Sequence, residues 1–166
     1  MALMAYMKLT GQKTGDVKGS ITTKGRENTI GVIATDHSVV SPRDPQSGLP
    51  TGQRMHKPFV ITKELDKSSP VLWNILVTNE NITQLVVSYY RPQIKAGNGV
   101  GQEVLAYTVK LTNANIASMH FVQPNVKDPN LVRFAEYEEI AFTYQKIEWT
   151  WLDGGITAMD DWEARV

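Results

Sequence analysis

Alternation of apolar and polar residues constrains the fold of this chain more than any other feature. In the clearest stretch, residues 102–111, the apolar side chains at every second position are Leu105, Tyr107, Val109 and Leu111. Successive side chains of a β-strand point to opposite faces, so this period indicates strands with one buried face. Four more stretches share the pattern: residues 29–40, 57–65, 81–91 and 137–152. The sequence therefore predicts a mainly β fold.

The last of these stretches changes the face that it buries. Its first apolar residues fall at even positions up to Tyr144, and the next fall at odd positions from Ile147 onward. Because a shift of one residue moves a strand's side chains to the other face, this gap predicts a bulge or a change of sheet. We therefore expect a compact antiparallel β-barrel or two packed sheets.

One segment, residues 66–78, breaks the β pattern and predicts a single helix of about three turns. Its start carries favourable capping residues and a proline suited to the first turn: Asp66, Ser68, Ser69 and Pro70. The residues predicted to pack this helix on the barrel share one helical face: Leu72, Ile75 and Leu76. Such a short helix is not stable alone, so we expect it to flank the barrel and close one end.

Two further segments are loops by composition. Residues 41–52 contain three prolines and two glycines, which exclude a helix or a central strand, and residues 123–133 contain two prolines. The first loop is long for a connection within a compact domain, and such loops are usually functional or disordered. In the tail, residues 154–166, the near-helical spacing of Ile156, Met159 and Trp162 predicts packing against the domain.

Composition argues against several classes of function. Lys plus Arg equals Asp plus Glu at 17 each, so no net field favours nucleic acid or an anionic membrane surface, and association between copies meets little repulsion. No cysteine is present, which excludes disulfides and thiolate chemistry. No run of apolar residues is long enough to span a membrane, so we expect no membrane insertion. The N-terminal residues do not have the pattern of a Sec-type signal peptide, so we expect synthesis in the cytoplasm without one. A length of 166 residues predicts one domain over residues 1–166.

Candidate catalytic and metal-binding residues do not form a site in the sequence. The histidines, His37, His56 and His120, lack metal-ligand spacing. Glu138 and Glu139 are adjacent on a predicted strand, point to opposite faces and indicate a solvated strand start. Residues 97–101 are glycine-rich, but Asn98-Gly99 is a hairpin signal and no phosphate-binding motif follows. We therefore expect no metal, no cofactor and no enzyme activity.

The order of several short motifs is more specific than any of these residues. The motifs are DVKGS at residues 16–20, PQSGLPTGQRMHKPF at 45–59, TKELDKSSP at 62–70, GQE at 101–103, KDP at 127–129, IEWTW at 147–151 and DWE at 161–163. Together they resemble Hcp, the haemolysin-coregulated protein family of type VI secretion, and most closely its enterobacterial subgroup with a long loop before the third strand.

This resemblance implies a homohexameric ring, and rings stacked into the hollow inner tube of a contractile machine. It also implies a spike, a sheath and effector proteins as partners, with export on sheath contraction. We expect the loop of residues 41–54 to form the contact between stacked rings, with Arg43, Asp44 and Arg54 supplying both charge signs. The residues assigned to this contact are Pro42, Arg43, Asp44, Pro45, Gln46, Gly48, Thr51, Gly52 and Arg54.

Two other functions stay open on the sequence. A monomeric β-sandwich module that binds carbohydrate would use Trp151 or Trp162 as an aromatic platform. A small hydrolase would use Glu138 or Asp160 as an acidic group.

Overall fold

The computed structural model describes residues 1–93 and 101–162. Over these residues the fold is mainly β with a single helix, as the alternation predicted. The elements are β1 (Ala5–Gly11), β2 (Gly15–Val17), β3 (Ile30–Val32), β4 (Ala34–Asp36), β5 (Val39–Val40), β6 (Met55–His56), β7 (Phe59–Glu64), α1 (Ser69–Val77), β8 (Ile82–Pro92), β9 (Glu103–Val122), β10 (Tyr137–Trp151) and β11 (Ile156–Asp161).

All strand pairs are antiparallel, and the main sheet closes on itself. Its strands follow the order β2-β1-β8-β9-β10-β7-β4, while β3 pairs with β1. Only Ile33 separates β3 from β4, and its N–H donates to the Thr62 carbonyl of β7 at 2.8 Å. The segment from β3 to β4 thus joins the two sides of the sheet into the predicted barrel.

This closure corrects the prediction of one strand over residues 29–40. The segment forms three short strands, each with a different partner: β3 pairs with β1, β4 with β7, and β5 with β6. Apolar and β-branched residues continue through the segment, so its sequence period does not mark the changes of partner. Those changes depend on strands that are distant in the chain.

The change of buried face in β10 is confirmed, and two neighbouring strands share it. On one side of the change, neighbouring buried residues at even positions lie side by side on β8, β9 and β10: Ile82, Ala114 and Tyr144. On the other side, the next buried row is formed by residues at odd positions: Leu85, Leu111 and Ile147. Between the rows, Asn113 adopts a positive φ of 50° and donates from its side-chain amide to Gln145 at 2.9 Å. The distortion thus crosses the barrel wall as one line.

Helix α1 begins and ends close to the predicted bounds. The Asp66 carboxylate accepts hydrogen bonds from the Ser68 backbone N–H at 2.9 Å and from the Ser68 hydroxyl, which orders the turn before the helix. At its end, Asn79 has a φ of 53° and the Glu80 N–H donates to the Ile75 carbonyl. Leu72 and Ile75 are buried, and Leu76 is partly buried against the core.

The tail differs from its predicted form. Residues 156–161 form a strand, β11, that pairs with β10, and both Ile156 and Met159 are exposed. The tail therefore packs against the domain as predicted, but as a strand and through Trp162 on His56, while Ile156 and Met159 do not form a packed helical face. The Asn98-Gly99 hairpin signal lies outside the described residues. In the part of the chain that the structure describes, no helix is long and apolar enough to cross a membrane.

Candidate assembly surface

The long Pro/Gly segment is an ordered hairpin, which we call the arm and define as residues 37–56. Its base is the β5–β6 pair, where Val39 lies opposite His56 and Val40 opposite Met55. Further out, the Thr51 N–H donates to the Pro42 carbonyl at 3.0 Å. The backbones of Arg43 and Pro50 form an isolated antiparallel β-bridge. Backbone hydrogen bonds thus hold a segment whose composition suggested only a loop.

The tip of the arm is closed by Asp44. Its carboxylate accepts hydrogen bonds from the Gln46 N–H at 3.0 Å and the Ser47 hydroxyl at 2.7 Å. These bonds, that to Gln46 first, hold the pKa of Asp44 below its usual value. Gly48 follows with a φ of 71°, a conformation that favours glycine, and its N–H donates to the Asp44 carbonyl at 2.8 Å. The turn at the tip is therefore formed by Asp44 and Gly48, which lie in the segment of residues 41–52 that was predicted to be a loop.

The three charged residues predicted for ring stacking have different surroundings. The Asp44 carboxylate is engaged within the tip, as just described. Arg54 forms a bidentate ion pair with Asp160 of β11, with N–O distances of 2.5 and 2.7 Å. Arg43 is exposed and has no side-chain hydrogen bond or ion pair with residues 1–93 or 101–162. Arg43 is thus the member of the set whose charge faces solvent without an internal partner.

The other assigned residues lie on the outside of the arm. Exposed positions are Pro45, Gln46, Gly48, Thr51 and Gly52, while Pro42 is half-buried. Apolar side chains that composition did not single out accompany them: Val39, Val40, Leu49 and Met55 are all exposed. Leu49 is 65% exposed at the tip. The arm therefore presents apolar surface beside the free charge of Arg43, as a docking element requires.

A chain of hydrogen bonds fixes the arm to the barrel. The Tyr144 hydroxyl of β10 lies 2.6 Å from His37 Nε2 and 2.7 Å from His56 Nδ1. On the far side of its ring, His56 Nε2 lies 2.7 Å from Asp160 Oδ2. His37 and His56, which lack metal-ligand spacing in the sequence, are therefore joined through Tyr144. Sequence separations of 88 to 107 residues leave no local signal for this arrangement.

The electrostatics of this cluster follow from its burial and its ion pair. The hydrogen bond from Arg54, followed by that from His56, holds the pKa of Asp160 below its usual value. Burial raises the pKa of Tyr144, which therefore keeps its hydroxyl hydrogen. Burial, with the nearby His56, lowers the pKa of His37. The cluster thus contains a carboxylate, a neutral phenol and a histidine that resists protonation.

Comparison with known proteins identifies the family of this barrel and arm. The model of the family described as "Type VI secretion system effector, Hcp" matches residues 6–151. The chain belongs to the Hcp family. Its assignment from sequence as a tube subunit of type VI secretion is confirmed by this membership.

Individual relatives agree with the match. The "Major exported protein" of Pseudomonas aeruginosa is 39% identical over 175 residues, covering 100% of this chain and 99% of the relative. The solved structure of a mutant form of Hcp1 from E. coli EAEC 042 is 32% identical with a TM-score of 0.83 and covers 97% of this chain and 99% of its own. "Secreted protein Hcp3 from Pseudomonas aeruginosa" is 31% identical with a TM-score of 0.74, covering 95% and 99%. Placement in the enterobacterial subgroup stays a prediction.

Each tryptophan of the aromatic platform required by a carbohydrate-binding module is in contact with another side chain in this Hcp protein. Trp162 stacks on His56 with ring centroids 5.6 Å apart, and its indole N–H donates to the Tyr144 carbonyl at 2.5 Å. The guanidinium of Arg91 covers the ring of Trp151 at 5.3 Å. One face of each candidate tryptophan is thus covered by another side chain.

The acidic residues required by a hydrolase are engaged as well. Glu138, predicted to lie at a solvated strand start, is fully buried, so that prediction is wrong. Its carboxylate accepts from Lys63 Nζ and from the Trp73 indole N–H, each at 3.0 Å. Asp160 binds Arg54 and His56. Among residues 1–93 and 101–162, no cluster of three histidine, aspartate or glutamate side chains is arranged to hold a metal ion.

Proposed function

We propose that six copies of this Hcp protein close into a ring and that the rings stack through their arms into a hollow tube. The observation that carries the proposal is the arm, an ordered hairpin with exposed apolar residues on a barrel of the Hcp family. Effector proteins would travel in the lumen, and sheath and spike proteins would contact the tube. The protein would stay in the cytoplasm until assembly and leave with the expelled tube.

Closure into a ring requires a head-to-tail interface between different faces of each copy. The barrel offers strands that are paired on one side, such as β2 and β11. Exposed apolar residues lie where β10 turns into β11: Trp151, its cross-strand partner Ile156, and Leu152. A monomer leaves such a surface in water, whereas a neighbouring copy would bury it. We therefore expect this end of the barrel to contribute to the interface within a ring.

Stacking through the arm is favoured by its limited conformational freedom. Three prolines and the Asp44 tip restrict the backbone before any contact forms. Less conformational entropy is then lost on docking than for a free loop of the same length. Leu49 would supply buried apolar area, and Arg43 would set register by pairing with an acidic group on the next ring. The role of the assembly is mechanical, and no catalytic step is required of the chain.

Replacement of the arm tip tests the stacking contact. In a variant with residues 43–51 replaced by a short Gly/Ser linker, we expect rings to form while tubes and secretion are lost. Light scattering measures ring mass, negative-stain imaging measures tube formation, and culture supernatants measure secretion. Secretion at the wild-type level by this variant would contradict the stacking role.

A pair of point variants isolates the side chains from the backbone. R43S together with L49S removes the free charge and the apolar tip, and we expect shorter tubes from intact rings. The matched control is K127S together with V126S, which removes the same two chemistries from another exposed loop. Equal tube lengths for the two double variants would show that the arm tip makes no stacking contact.

A further inference from the structure

The contacts that anchor the arm form a titratable unit. They run without a gap from His37 through Tyr144 and His56 to Asp160, and Arg54 binds the same carboxylate from the arm side. The His56 side chain is 1% exposed and that of Asp160 is 25% exposed. His37 is half-buried, so the cluster as a whole is partly shielded from bulk water, and charge added there is partly desolvated.

The proton inventory of the cluster begins with Asp160 and Tyr144. An ionised carboxylate only accepts hydrogen bonds, so His56 carries a hydrogen on Nε2, which faces Asp160. The Tyr144 hydroxyl has one hydrogen and lies against two ring nitrogens. It therefore donates to one ring and accepts from the other. Of the two nitrogens that face Tyr144, one carries a hydrogen and one does not.

One added proton fits this arrangement and a second does not. A single positive charge on His37 keeps its Nε2 as donor to Tyr144, which donates to His56. A single charge on His56 reverses the direction, and Tyr144 then donates to His37. When both rings are charged, two N–H groups point at the Tyr144 oxygen, and the Tyr144 hydroxyl hydrogen has no acceptor among the cluster residues. The two charged rings then lie close together, each with a nitrogen 2.6 or 2.7 Å from that oxygen.

Other charges around the rings do not remove this conflict. The titratable or charged groups facing them are Asp36 next to His37, Arg54 before His56, Tyr144 on β10 and Asp160 on β11. Phe59 of β7 and Trp162 contribute uncharged rings. The negative charge of Asp160 is already partly balanced by Arg54. It can therefore stabilise one added positive charge in the cluster, but it stabilises a second one less.

We propose that His37, Tyr144, His56 and Asp160 form a proton-sensitive latch that holds the arm on the barrel near neutral pH and releases it in acid. The sign agrees with linkage, because the lowered pKa of His37 in the latched state means that this state binds fewer protons than the open one. Latching is then complete above the ordinary histidine pKa of about 6.5 and is lost as pH falls below it. Release of the arm would separate stacked rings.

Hydrogen exchange of the full-length protein tests the latch without relying on stacking. Arm amides are compared between pH 7.5 and 5.5, after correction for the pH dependence of chemical exchange, with β9 amides as an internal reference. We expect protection of the arm to fall by about tenfold per pH unit below about pH 6.5, because opening takes up one proton. The β9 amides should stay protected.

Three variants complete the test. H37Q leaves one histidine in the cluster, so its arm should stay protected at both pH values. Y144F removes the shared hydroxyl and should expose the arm even at pH 7.5. H120Q changes the exposed third histidine, outside the cluster, and should match the wild type. Wild-type protection that is equal at both pH values, or an unchanged acid response in H37Q, would overturn the latch.

This readout separates the latch from the proposed function. Hydrogen exchange of the arm does not depend on contacts between rings. If the arm is acid-sensitive but the protein never forms stacked rings, the latch is supported and only the stacking proposal is contradicted. Tubes that form equally at pH 7.5 and 5.5 from a protein with an acid-released arm would contradict the step from latch to stacking.

Discussion

At the scale of single residues, the buried ion pair of Lys63 and Glu138 connects helix α1 to the barrel strands β7 and β10. The two residues lie opposite one another on β7 and β10, and both are fully buried. Lys63 Nζ also contacts the Ser69 hydroxyl at 2.9 Å and the Asp66 carboxylate at 3.1 Å, while Glu138 reaches Trp73 in α1. Every polar atom of the pair has a partner, so its desolvation cost is offset by bonds that join three elements.

Removal of one partner should therefore destabilise the protein more than removal of both. We expect K63M alone to cost about 3–5 kcal/mol, because it leaves the buried Glu138 carboxylate without its cation. E138L alone should cost less, because Lys63 keeps the Asp66 carboxylate at 3.1 Å. The double variant K63M/E138L should recover most of that loss. Urea unfolding at one fixed protein concentration gives the free energies. Additive effects of the two substitutions would show that the charges do not interact.

Gly19, in the DVKGS motif, has an identifiable steric role. A Cβ at this position would lie 2.2 Å from the Thr29 carbonyl oxygen, a backbone atom that cannot move aside easily. The Gly19 N–H also donates to the Asn28 carbonyl at 2.9 Å. The motif thus allows the segment after β2 to approach the one before β3.

Substitution of this glycine should separate the two segments. We expect G19A to lower the melting temperature clearly, whereas G52A should have little effect because open space surrounds a Cβ there. Thermal unfolding followed by circular dichroism compares the two variants. Equal melting temperatures would contradict the close approach.

At the scale of elements, helix α1 is held by its apolar face. Leu72 is fully buried, whereas Val77 on the same helix is 76% exposed. L72A should cost about 2–5 kcal/mol through lost burial and a residual cavity. V77A should change stability by less than about 0.5 kcal/mol, as expected at an exposed site. Similar losses for the two variants in urea unfolding would mean that the buried face is wrongly assigned.

Elements governed by local sequence were predictable. Pro70 and the preceding cap marked the start of α1, and the spacing from Tyr144 to Ile147 marked the change of buried face. The break at Ile33 was not predictable in this way, because it depends on pairing with both β1 and β7. Barrel closure is a long-range property that a continuous run of apolar residues conceals.

Buried charge could have been inferred, but the latch could not. Lys63 follows Phe59 and Ile61 at inward positions of β7, and Glu138 precedes Ile140 on the inward face of β10. A lysine and a glutamate on the buried faces of two strands indicate an ion pair, which the assignment of Glu138 to a solvated position overlooked. The latch residues come from separate elements, and none departs from an ordinary pattern.

At the scale of the whole molecule, the barrel and the arm have separate roles. The barrel wall carries the core and the exposed apolar end of β10 and β11, whereas the arm extends from it on a titratable anchor. Ring closure would use the first surface and stacking the second. This division predicts that changes at the arm tip affect tubes while leaving ring mass unchanged.

The most direct test of this account is the mass of the purified wild-type protein in solution at pH 7.5. Multi-angle light scattering across micromolar concentrations should give a stable particle of six chains of 18.5 kDa each, and negative-stain images should show rings. A particle that stays at the mass of one chain throughout that range would contradict the ring, and with it the proposed tube.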